Sequence, residues 1–204
     1  MKINEILEYF DEIIPNPHCE LNYEKDYEFL ISVMLSAQTT DKRVNQVTSI
    51  LYTKYPTLDS LKRAKIEDII EIIKPIGTYQ KKALYVKLIA DELDKIGYVP
   101  NDRKYLESLS GVGRKTTNLV LSELYNMPYF AVDTHVSRVS KRLGLVKEKD
   151  DVLTIERKLT KIIPKDRINR THHQFILFGR YYCKAKSPNC NDCKLKEICK
   201  NYNK

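Results

Sequence analysis

Apolar residues recur at intervals of three and four along most of the chain, which is the spacing that gives an α-helix one buried face. In the segment from Tyr27 to Leu35, for example, positions 27, 30, 31, 34 and 35 are all apolar. No pair of segments alternates between apolar and polar residues as paired strands would. The fold class predicted from the pattern is therefore all-α. The stripes predict helices over about 27–35, 44–51, 66–73, 83–96, 105–109, 114–126, 133–143, 151–162 and 175–182. The N-cap candidates are Asp102, Asp133 and either Asp150 or Asp151.

Composition agrees with a helical, globular protein. The chain has 204 residues, of which only six are glycine and eight are proline. A chain of this length buries about 70% of its unfolded surface. No apolar run approaches the roughly 20 residues of a membrane span, and acidic residues interrupt the N-terminal stretch where a secretory signal would be apolar. We therefore expect a cytoplasmic protein, nucleoid-associated if bacterial, with no membrane partner. Because no sustained interaction stripe is visible in the sequence, we expect a monomer. The formal net charge of +8 favours a polyanionic partner.

Two predicted helices form a helix-hairpin-helix at about 102–126, and the hairpin contains two glycines separated by one residue. Glycine permits left-handed backbone angles and the close approach of a ligand. The first amides of the second helix have no intrahelical partner, so they can bind an anion such as a DNA phosphate. Gly111, Val112, Gly113 and Arg114 are the candidate DNA contacts. An ordinary connection between two helices has the same spacing, and the spacing alone leaves both interpretations open.

A lysine in the first turn of that second helix is unexpected on structural grounds. Lys115 stands near the positive end of the helix dipole, where Asp or Glu is favoured. Such a lysine can pair with a phosphate, or it can serve as an amine nucleophile. The alternative is a solvated lysine beside the DNA.

A carboxylate follows 18 residues later, at Asp133. A helix over 115–126 is roughly 18 Å long, and the extended segment 127–132 spans about 20 Å. The chain can therefore run back along its own helix and bring Asp133 near Lys115. The alternative is that Asp133 only caps the next helix.

Four of the five cysteines fall within 17 residues, with the spacing C-x6-C-x2-C-x5-C. They are Cys183, Cys190, Cys193 and Cys199. Without an export signal, a metal site is expected rather than disulfides. Four thiolates with no histidine among them suit either a tetrahedral zinc ion or a [4Fe–4S] cluster, and the spacing leaves this open. Cys19 stands apart and is expected to be a buried apolar residue.

Positive charge is concentrated around these cysteines. Residues 183–204 carry six lysines and two acids, so this segment holds +4 of the total of +8. Lys184 and Lys186 lie in the longest loop between cysteines and are candidate phosphate contacts. The alternative is simple solvation of charged residues near the C-terminus.

These features together resemble the endonuclease III family, within the helix-hairpin-helix superfamily of DNA glycosylases. The resemblance implies an all-α protein of two helical domains with a DNA-binding cleft and the active site between them. One is a helical barrel domain over 20–128, and the other combines 1–19 with 129–204 and carries an iron–sulfur cluster loop at 183–199. The resemblance spans about residues 20–199 and rests on LSAQTTD (35–41), LSGVGRKTTN (109–118), VDTHV (132–136) and the cysteine spacing.

The resemblance also assigns roles to individual residues. It makes Lys115 the nucleophile that forms a Schiff base, and Asp133 the second catalytic residue. It makes the four cysteines the ligands of a [4Fe–4S] cluster. The carboxylate would stabilise the cationic sugar that forms as the bond to a flipped base breaks.

Members of the family insert residues into the gap left by the flipped base. Gln38 and His135 occupy matching positions. The third position is usually a larger apolar residue that acts as a wedge. Here it falls at Thr78, which is small. Either Tyr79 takes part in the wedge, or the wedge is weaker in this protein. Ser110 also departs from the family, because proline is common there.

The function implied is base-excision repair of double-stranded DNA that contains damaged bases or abasic sites. The leading hypothesis is a bifunctional glycosylase that removes oxidised pyrimidines and cuts the strand by β-elimination through a lysine Schiff base. One alternative is a monofunctional glycosylase acting on adenine or a mismatch, although those relatives generally lack a lysine at the position of Lys115. The other is a DNA-binding protein without enzymatic activity, which would not require Asp133.

Overall fold

Residues 2–202, the part of the chain that the computed structural model describes, form eleven α-helices and no β-strand, which confirms the all-α prediction. None of the helices within this range is long and apolar enough to cross a membrane. A π-helical turn, Phe178–Tyr182, continues α11, and 3-10 turns lie at Lys165–Arg167 and Lys196–Ile198. The helices are α1 Lys2–Ile13, α2 Asp26–Leu35, α3 Asp41–Lys54, α4 Leu58–Arg63, α5 Ile66–Ile73, α6 Tyr79–Ile96, α7 Arg103–Ser108, α8 Arg114–Tyr125, α9 Thr134–Arg142, α10 Val152–Ile162 and α11 Ile168–Leu177.

The chain divides into two compact units. The middle unit, Glu20–Tyr125, contains α2 to α8. The terminal unit combines Met1–Cys19 with Asn126–Lys204 and contains α1 and α9 to α11. The chain passes from one to the other at Asn126, whose φ of 50° is left-handed. The boundary expected from the sequence lay slightly later, after residue 128.

The middle unit is built around α6. Helices α2, α4 and α5 pack against α6, α3 packs against α2 and α5, and α8 packs against α2 and α7. The inward face of α6 is fully buried, which follows from apolar residues placed three and four positions apart. Those residues are Ala83, Val86, Ile89, Ala90 and Leu93.

Aromatic rings form the centre of the terminal unit. The ring of Phe10 in α1 lies edge-on to that of Phe175 in α11, with centroids 5.2 Å apart, and 4.9 Å from that of Phe178. Phe130 meets Phe175 edge-on at 5.7 Å. All four rings are buried, so the N-terminal helix completes a core whose other members come from the C-terminal half of the chain.

Polar contacts hold α1 in the same place. The Asp11 carboxylate accepts hydrogen bonds from Arg167 at 2.6 Å, Arg170 at 3.1 Å and Gln174 at 2.9 Å. Burial alone would raise the pKa of this carboxyl, but the hydrogen bonds from these three residues outweigh burial and lower it. Asp11 therefore stays ionised at neutral pH and joins α1 to α11.

Three aspartates begin helices as the sequence predicts. Asp102, Asp133 and Asp151 each accept a hydrogen bond of 2.8 Å from a backbone N–H in the first turn of the helix that follows. Asp150, the other candidate for the start of α10, instead accepts hydrogen bonds from the backbone of Lys147 and the side chain of Lys158.

The predicted stripes omit two helices, α1 and α4, and one cysteine was misjudged. Positions 3, 6, 7, 10 and 13 of α1 do have helical spacing, so this helix is visible in the sequence. Helix α4 was not predicted, because its six residues contribute a single buried side chain, Leu61, and no periodicity can be seen in so short a stripe. Cys19 was expected to be buried but is only half-buried, in the segment that follows α1.

Phe10→Ala is expected to lower the free energy of unfolding by about 3–5 kcal/mol, because it leaves a cavity beside the rings of Phe175 and Phe178. Urea denaturation followed by circular dichroism measures the change. Leu153→Ala, at an exposed position of α10 in the same unit, is the control and should cost less than about 1 kcal/mol. Equal losses in the two variants would contradict the assignment of Phe10 to the core.

Candidate functional site

The hairpin between α7 and α8 is a tight turn that depends on one glycine. The N–H of Val112 donates to the carbonyl of Leu109 at 3.1 Å, and Gly111 has a φ of 78°. A Cβ built on Gly111 would lie 2.4 Å from Cδ2 of the Tyr85 ring. Position 111 therefore needs glycine twice, for its left-handed backbone and because Tyr85 of α6 packs directly beneath it.

The second glycine of the hairpin has no such internal reason. Gly113 has no positive φ, and no atom lies within 4 Å of the position that a Cβ would take. Its carbonyl accepts the first hydrogen bond of α8, from the N–H of Thr117 at 2.9 Å. Val112 is buried, whereas Gly113 and Arg114 face outward at the start of the helix, where backbone amides lack intrahelical partners.

Lys115 lies on the surface in the first turn of α8, as predicted. No acidic residue occupies that turn of α8, all of which is described. The ammonium therefore meets the positive end of the helix dipole without a local counter-charge in its own turn, which is unfavourable for stability and favourable for an incoming anion.

The two loops predicted to enter DNA share an uncommon backbone. Gln38, in the loop after α2, has a φ of 57°, and Thr78, the residue before α6, has a φ of 55°. Only four residues other than glycine have a positive φ within 2–202. Both side chains are exposed, and Tyr79 is half-buried as the first residue of α6. Residues other than glycine are strained when their backbone is left-handed, and such residues are concentrated at functional sites.

Asp133 caps α9 and is half-buried. Its Oδ1 accepts a hydrogen bond from the N–H of Val136, and its carbonyl accepts one from Ser137 at 2.9 Å. The capping role proposed as the alternative is therefore present. It uses one carboxylate oxygen, so it does not preclude a chemical role for the other.

His135 lies in the first turn of α9, and its ring is fixed by an arginine. Arg138 Nη2 lies 3.2 Å from His135 Nδ1 and donates to the carbonyl of Gly179 at 2.6 Å. A Cβ on Gly179 would lie 2.9 Å from Cβ of His135, so glycine lets the π-helical turn approach α9 closely. Since the guanidinium donates to Nδ1, a neutral His135 carries its proton on Nε2.

The four clustered cysteines surround one pocket. Phe178, Tyr182 and Leu143 complete its apolar lining. None of the cysteines forms a disulfide. Burial raises the pKa of the Cys193 thiol, and the neighbouring thiolates of the three other cysteines raise it further. A bound cation would reverse this, because it stabilises thiolates. The four ligand candidates are Cys183, Cys190, Cys193 and Cys199.

Two arginines of α9 hold the loop that carries the first cysteine. Arg138 Nε donates to the carbonyl of Cys183 at 3.2 Å. Arg142 Nη1 lies 3.4 Å from the Sγ of Cys183 and donates to the carbonyl of Lys184 at 2.7 Å. The helix that begins at Asp133 and the cysteine loop are therefore one connected structure within the terminal unit. The side chains of Lys184 and Lys186 lie exposed in this loop.

Within residues 2–202, no three His, Cys, Asp or Glu side chains form a group that could hold a metal ion. The four clustered thiols nevertheless line one common pocket.

The structure gathers the predicted residues into two sets. The hairpin, Lys115, Gln38, Thr78 and Tyr79 belong to the middle unit. The residues of the terminal unit are Asp133, His135, the four clustered cysteines, Lys184 and Lys186.

Sequence reasoning missed the residues that hold these sets in place, namely Lys82, Tyr85, Arg138 and Arg142. Three of them join positions 41 to 47 residues apart. No local pattern identifies such partners. The one available signal was Gly179, a glycine inside an apolar helical stretch, which indicates close backbone packing.

Comparison with known proteins places this arrangement in a family. Residues 31–165 match the family described as HhH-GPD superfamily base excision DNA repair protein. Endonuclease III of Bacillus subtilis (strain 168) is 42% identical over 201 residues, covering 98% of this chain and 92% of the relative. Endonuclease III of Escherichia coli (strain K12) is 40% identical over 199 residues, covering 96% and 93%.

Solved structures agree with the sequence relatives. A trapped endonuclease III–DNA covalent intermediate is 44% identical with a TM-score of 0.94, covering 100% of this chain and 97% of that one. A non-covalent endonuclease III–DNA complex is 45% identical with the same TM-score and coverage. A thermostable thymine-DNA glycosylase, 21% identical with a TM-score of 0.86, shares the fold. The chain belongs to the endonuclease III family of base-excision DNA repair enzymes.

Proposed function

We propose that this protein is a bifunctional DNA glycosylase that removes oxidised pyrimidines from double-stranded DNA and cuts the abasic site by β-elimination. The observation that carries the proposal is Lys115, an exposed lysine in the first turn of the helix after the hairpin, with no acid in that turn. The trapped covalent intermediate of a 44% identical endonuclease III supports covalent chemistry at this kind of site. The enzyme would act on chromosomal DNA in the cytoplasm, where its bacterial relatives would also meet their substrate.

Lys115 supplies the nucleophile in this proposal. Its neutral amine attacks C1′ as the C1′–N bond breaks, and the damaged base leaves with the electron pair and takes up a proton. Loss of the proton from the attacking nitrogen and opening of the sugar ring give a Schiff base. Removal of a proton from C2′ then expels the 3′ phosphate, which cuts the strand.

Asp133 supplies the negative charge that this reaction needs. Positive charge develops on the sugar as the base departs, and a half-buried carboxylate stabilises it more than an exposed one would. The same carboxylate can accept a proton from the attacking amine. The capping hydrogen bond through Oδ1 fixes the side chain, so that Asp133 is oriented before substrate binds.

Gln38 and His135, with Thr78 and Tyr79, are proposed to occupy the gap left by the flipped base. The left-handed backbone at Gln38 and Thr78 supports this role, because both loops present exposed side chains at strained positions. Tyr79 is half-buried and adds apolar area beside the small Thr78.

Phosphate contacts are proposed for the hairpin and for the cysteine loop. The open space above Gly113 permits a phosphate to approach the amides at the start of α8, and Gly111, Val112 and Arg114 complete the turn. The exposed side chains of Lys184 and Lys186 add positive charge, which attracts phosphates whatever the DNA sequence.

The cysteine pocket is proposed to hold a [4Fe–4S] cluster. A single tetrahedral zinc ion draws its sulfur ligands to roughly 3.8 Å of one another, whereas a [4Fe–4S] cluster binds each thiolate at a different iron. The resemblance to the endonuclease III family favours the second arrangement, and the four thiols that line one pocket can supply its ligands. When bound, the cluster supplies a rigid four-thiolate cross-link for the loop. Cys183, Cys190, Cys193 and Cys199 would hold it.

Lys115→Gln is expected to abolish covalent trapping by borohydride on a duplex with one thymine glycol, because the variant has no amine to form the imine. Binding to the same duplex should weaken by less than about tenfold, since only one charge is lost. Lys104→Gln, at an exposed lysine of the first helix of the hairpin, is the control and should trap normally.

Three results would contradict the proposal in different ways. Normal trapping by Lys115→Gln would exclude this lysine as nucleophile. Release of free base without an adduct from the wild type would indicate a monofunctional glycosylase. Neither adduct nor base release across oxidised pyrimidines would leave a DNA-binding protein without this chemistry.

Asp133→Asn is expected to slow base excision by at least about 100-fold while binding changes little, because asparagine still caps the helix but carries no charge. Single-turnover kinetics on the thymine glycol duplex measure the rate. The matched control is Asp151→Asn, which changes a cap of the same hydrogen-bond length at α10 and should leave the rate unaltered. Equal rates for the wild type and Asp133→Asn would remove the catalytic role.

The purified protein is expected to be brown, to absorb at about 400 nm, and to contain about four iron atoms per chain. Cys193→Ser should lose most of the iron, because it removes one of four ligands. Cys19→Ser removes a cysteine outside the pocket and should keep it. A colourless protein with stoichiometric zinc would overturn the cluster assignment.

A further inference from the structure

One lysine of the middle unit is buried and has no acidic partner in its hydrogen bonds. Lys82 lies on α6 with 4% of its surface exposed. Its Nζ donates to the carbonyl of Leu35 at 2.8 Å and to that of Ala37 at 2.7 Å. Burial lowers the pKa of this ammonium.

The carbonyls that Lys82 binds belong to a specific place in the fold. Leu35 is the last residue of α2, so its carbonyl accepts no hydrogen bond from a backbone N–H within the helix. Ala37 directly precedes Gln38, the left-handed residue of the same loop. The ammonium therefore fixes the backbone on the N-terminal side of Gln38.

The same residue also takes part in the second loop. The backbone N–H of Lys82 donates to the carbonyl of Thr78 at 3.1 Å, which forms the first turn of α6. Arg43 adds a second connection, from its Nη1 to the carbonyl of Pro75 at 3.2 Å. Lys82 thus links Ala37 through its side chain to Thr78 through its main chain.

We infer that Lys82 is a positioning residue for gap filling: it holds the Gln38 loop at a fixed spacing from Thr78, so that both side chains enter one gap in the duplex. The inference rests on the proposed function for the identity of the ligand, which is DNA with a missing base. Arg43 and the packing of α2 on α6 also connect the two loops, but only the Lys82 side chain is shown to bind the residue directly before Gln38. An ammonium between two carbonyls is a short, charge-assisted link of low mobility.

A second lysine of α6 provides a matched control. Lys87 is half-buried, and its Nζ donates to the carbonyls of Lys62, at 2.8 Å, and Ala64. It therefore holds the end of α4 in the way that Lys82 holds the end of α2. Neither α4 nor its end carries a predicted DNA contact.

The test compares Lys82→Met with Lys87→Met in binding to two duplexes, one with a tetrahydrofuran abasic analogue and one undamaged. Methionine keeps the apolar stem of lysine and removes the ammonium. We expect Lys82→Met to lose about tenfold of the preference for the abasic analogue, whereas binding to undamaged DNA and the preference of Lys87→Met stay unchanged. The analogue cannot be cleaved, so this measurement does not depend on catalysis.

Thermal unfolding of both variants separates positioning from stability. If the two variants lose similar stability but only Lys82→Met loses the preference for the abasic analogue, Lys82 acts by positioning the loop. An unchanged preference in a folded Lys82→Met would overturn it. Failure of the wild type to cut any lesion would contradict the proposed function alone, because the binding preference is measured independently.

A double-mutant cycle gives a second, independent reading. If Lys82 acts through the Gln38 loop, Lys82→Met should cost little further preference in a Gln38→Ala background. Full additivity would overturn the inference. Should Lys82→Met fail to fold, Lys82→Arg replaces it in both experiments, since it keeps the charge but places a longer, planar donor between the carbonyls.

Discussion

The burial of one helix, α6, organises the elements of the middle unit that are proposed to contact DNA. Its apolar face packs against α2, α4 and α5. Other residues of α6, or next to it, contact the Gln38 loop, the Thr78 loop and the hairpin. Thr78 precedes its first turn, Lys82 binds the carbonyls before Gln38, and Tyr85 packs under Gly111. The close approach at Tyr85 requires that position 111 carry no side chain. The hairpin and the two loops proposed to fill the gap therefore share one support, which the precise recognition of a distorted duplex would require.

Two helix N-termini carry the proposed chemistry, and their residues have opposite electrostatic character. Asp133 is stabilising where it stands, because it caps α9 and meets the positive end of the dipole. Lys115 is unfavourable where it stands, in the first turn of α8 without an acid in that turn. A stabilising residue has a structural explanation and needs no other. The unfavourable lysine has none, so it is the stronger indication of function.

The terminal unit joins segments that are far apart in the sequence through an aromatic core and through polar contacts. Helix α1 enters the aromatic core through Phe10 and is bound to α11 through Asp11. Arg138 and Arg142 run from α9 to the loop of Cys183. Side chains of α9 therefore hold the start of the cysteine loop, whose own regular structure among the described residues is one 3-10 turn.

The sequence by itself determined the helical class, the helix caps at Asp102, Asp133 and Asp151, the hairpin glycines and the cysteine spacing, because each depends on residues a few positions apart. It also indicated the family through short motifs. Only the tertiary structure decided that Gln38 and Thr78 are left-handed, that Gly111 is held by Tyr85, and that Lys82 is buried. It alone revealed α4, which is too short for periodicity to be visible. Those features depend on contacts between segments far apart in sequence, and no local period or motif encodes which carbonyl a lysine will meet.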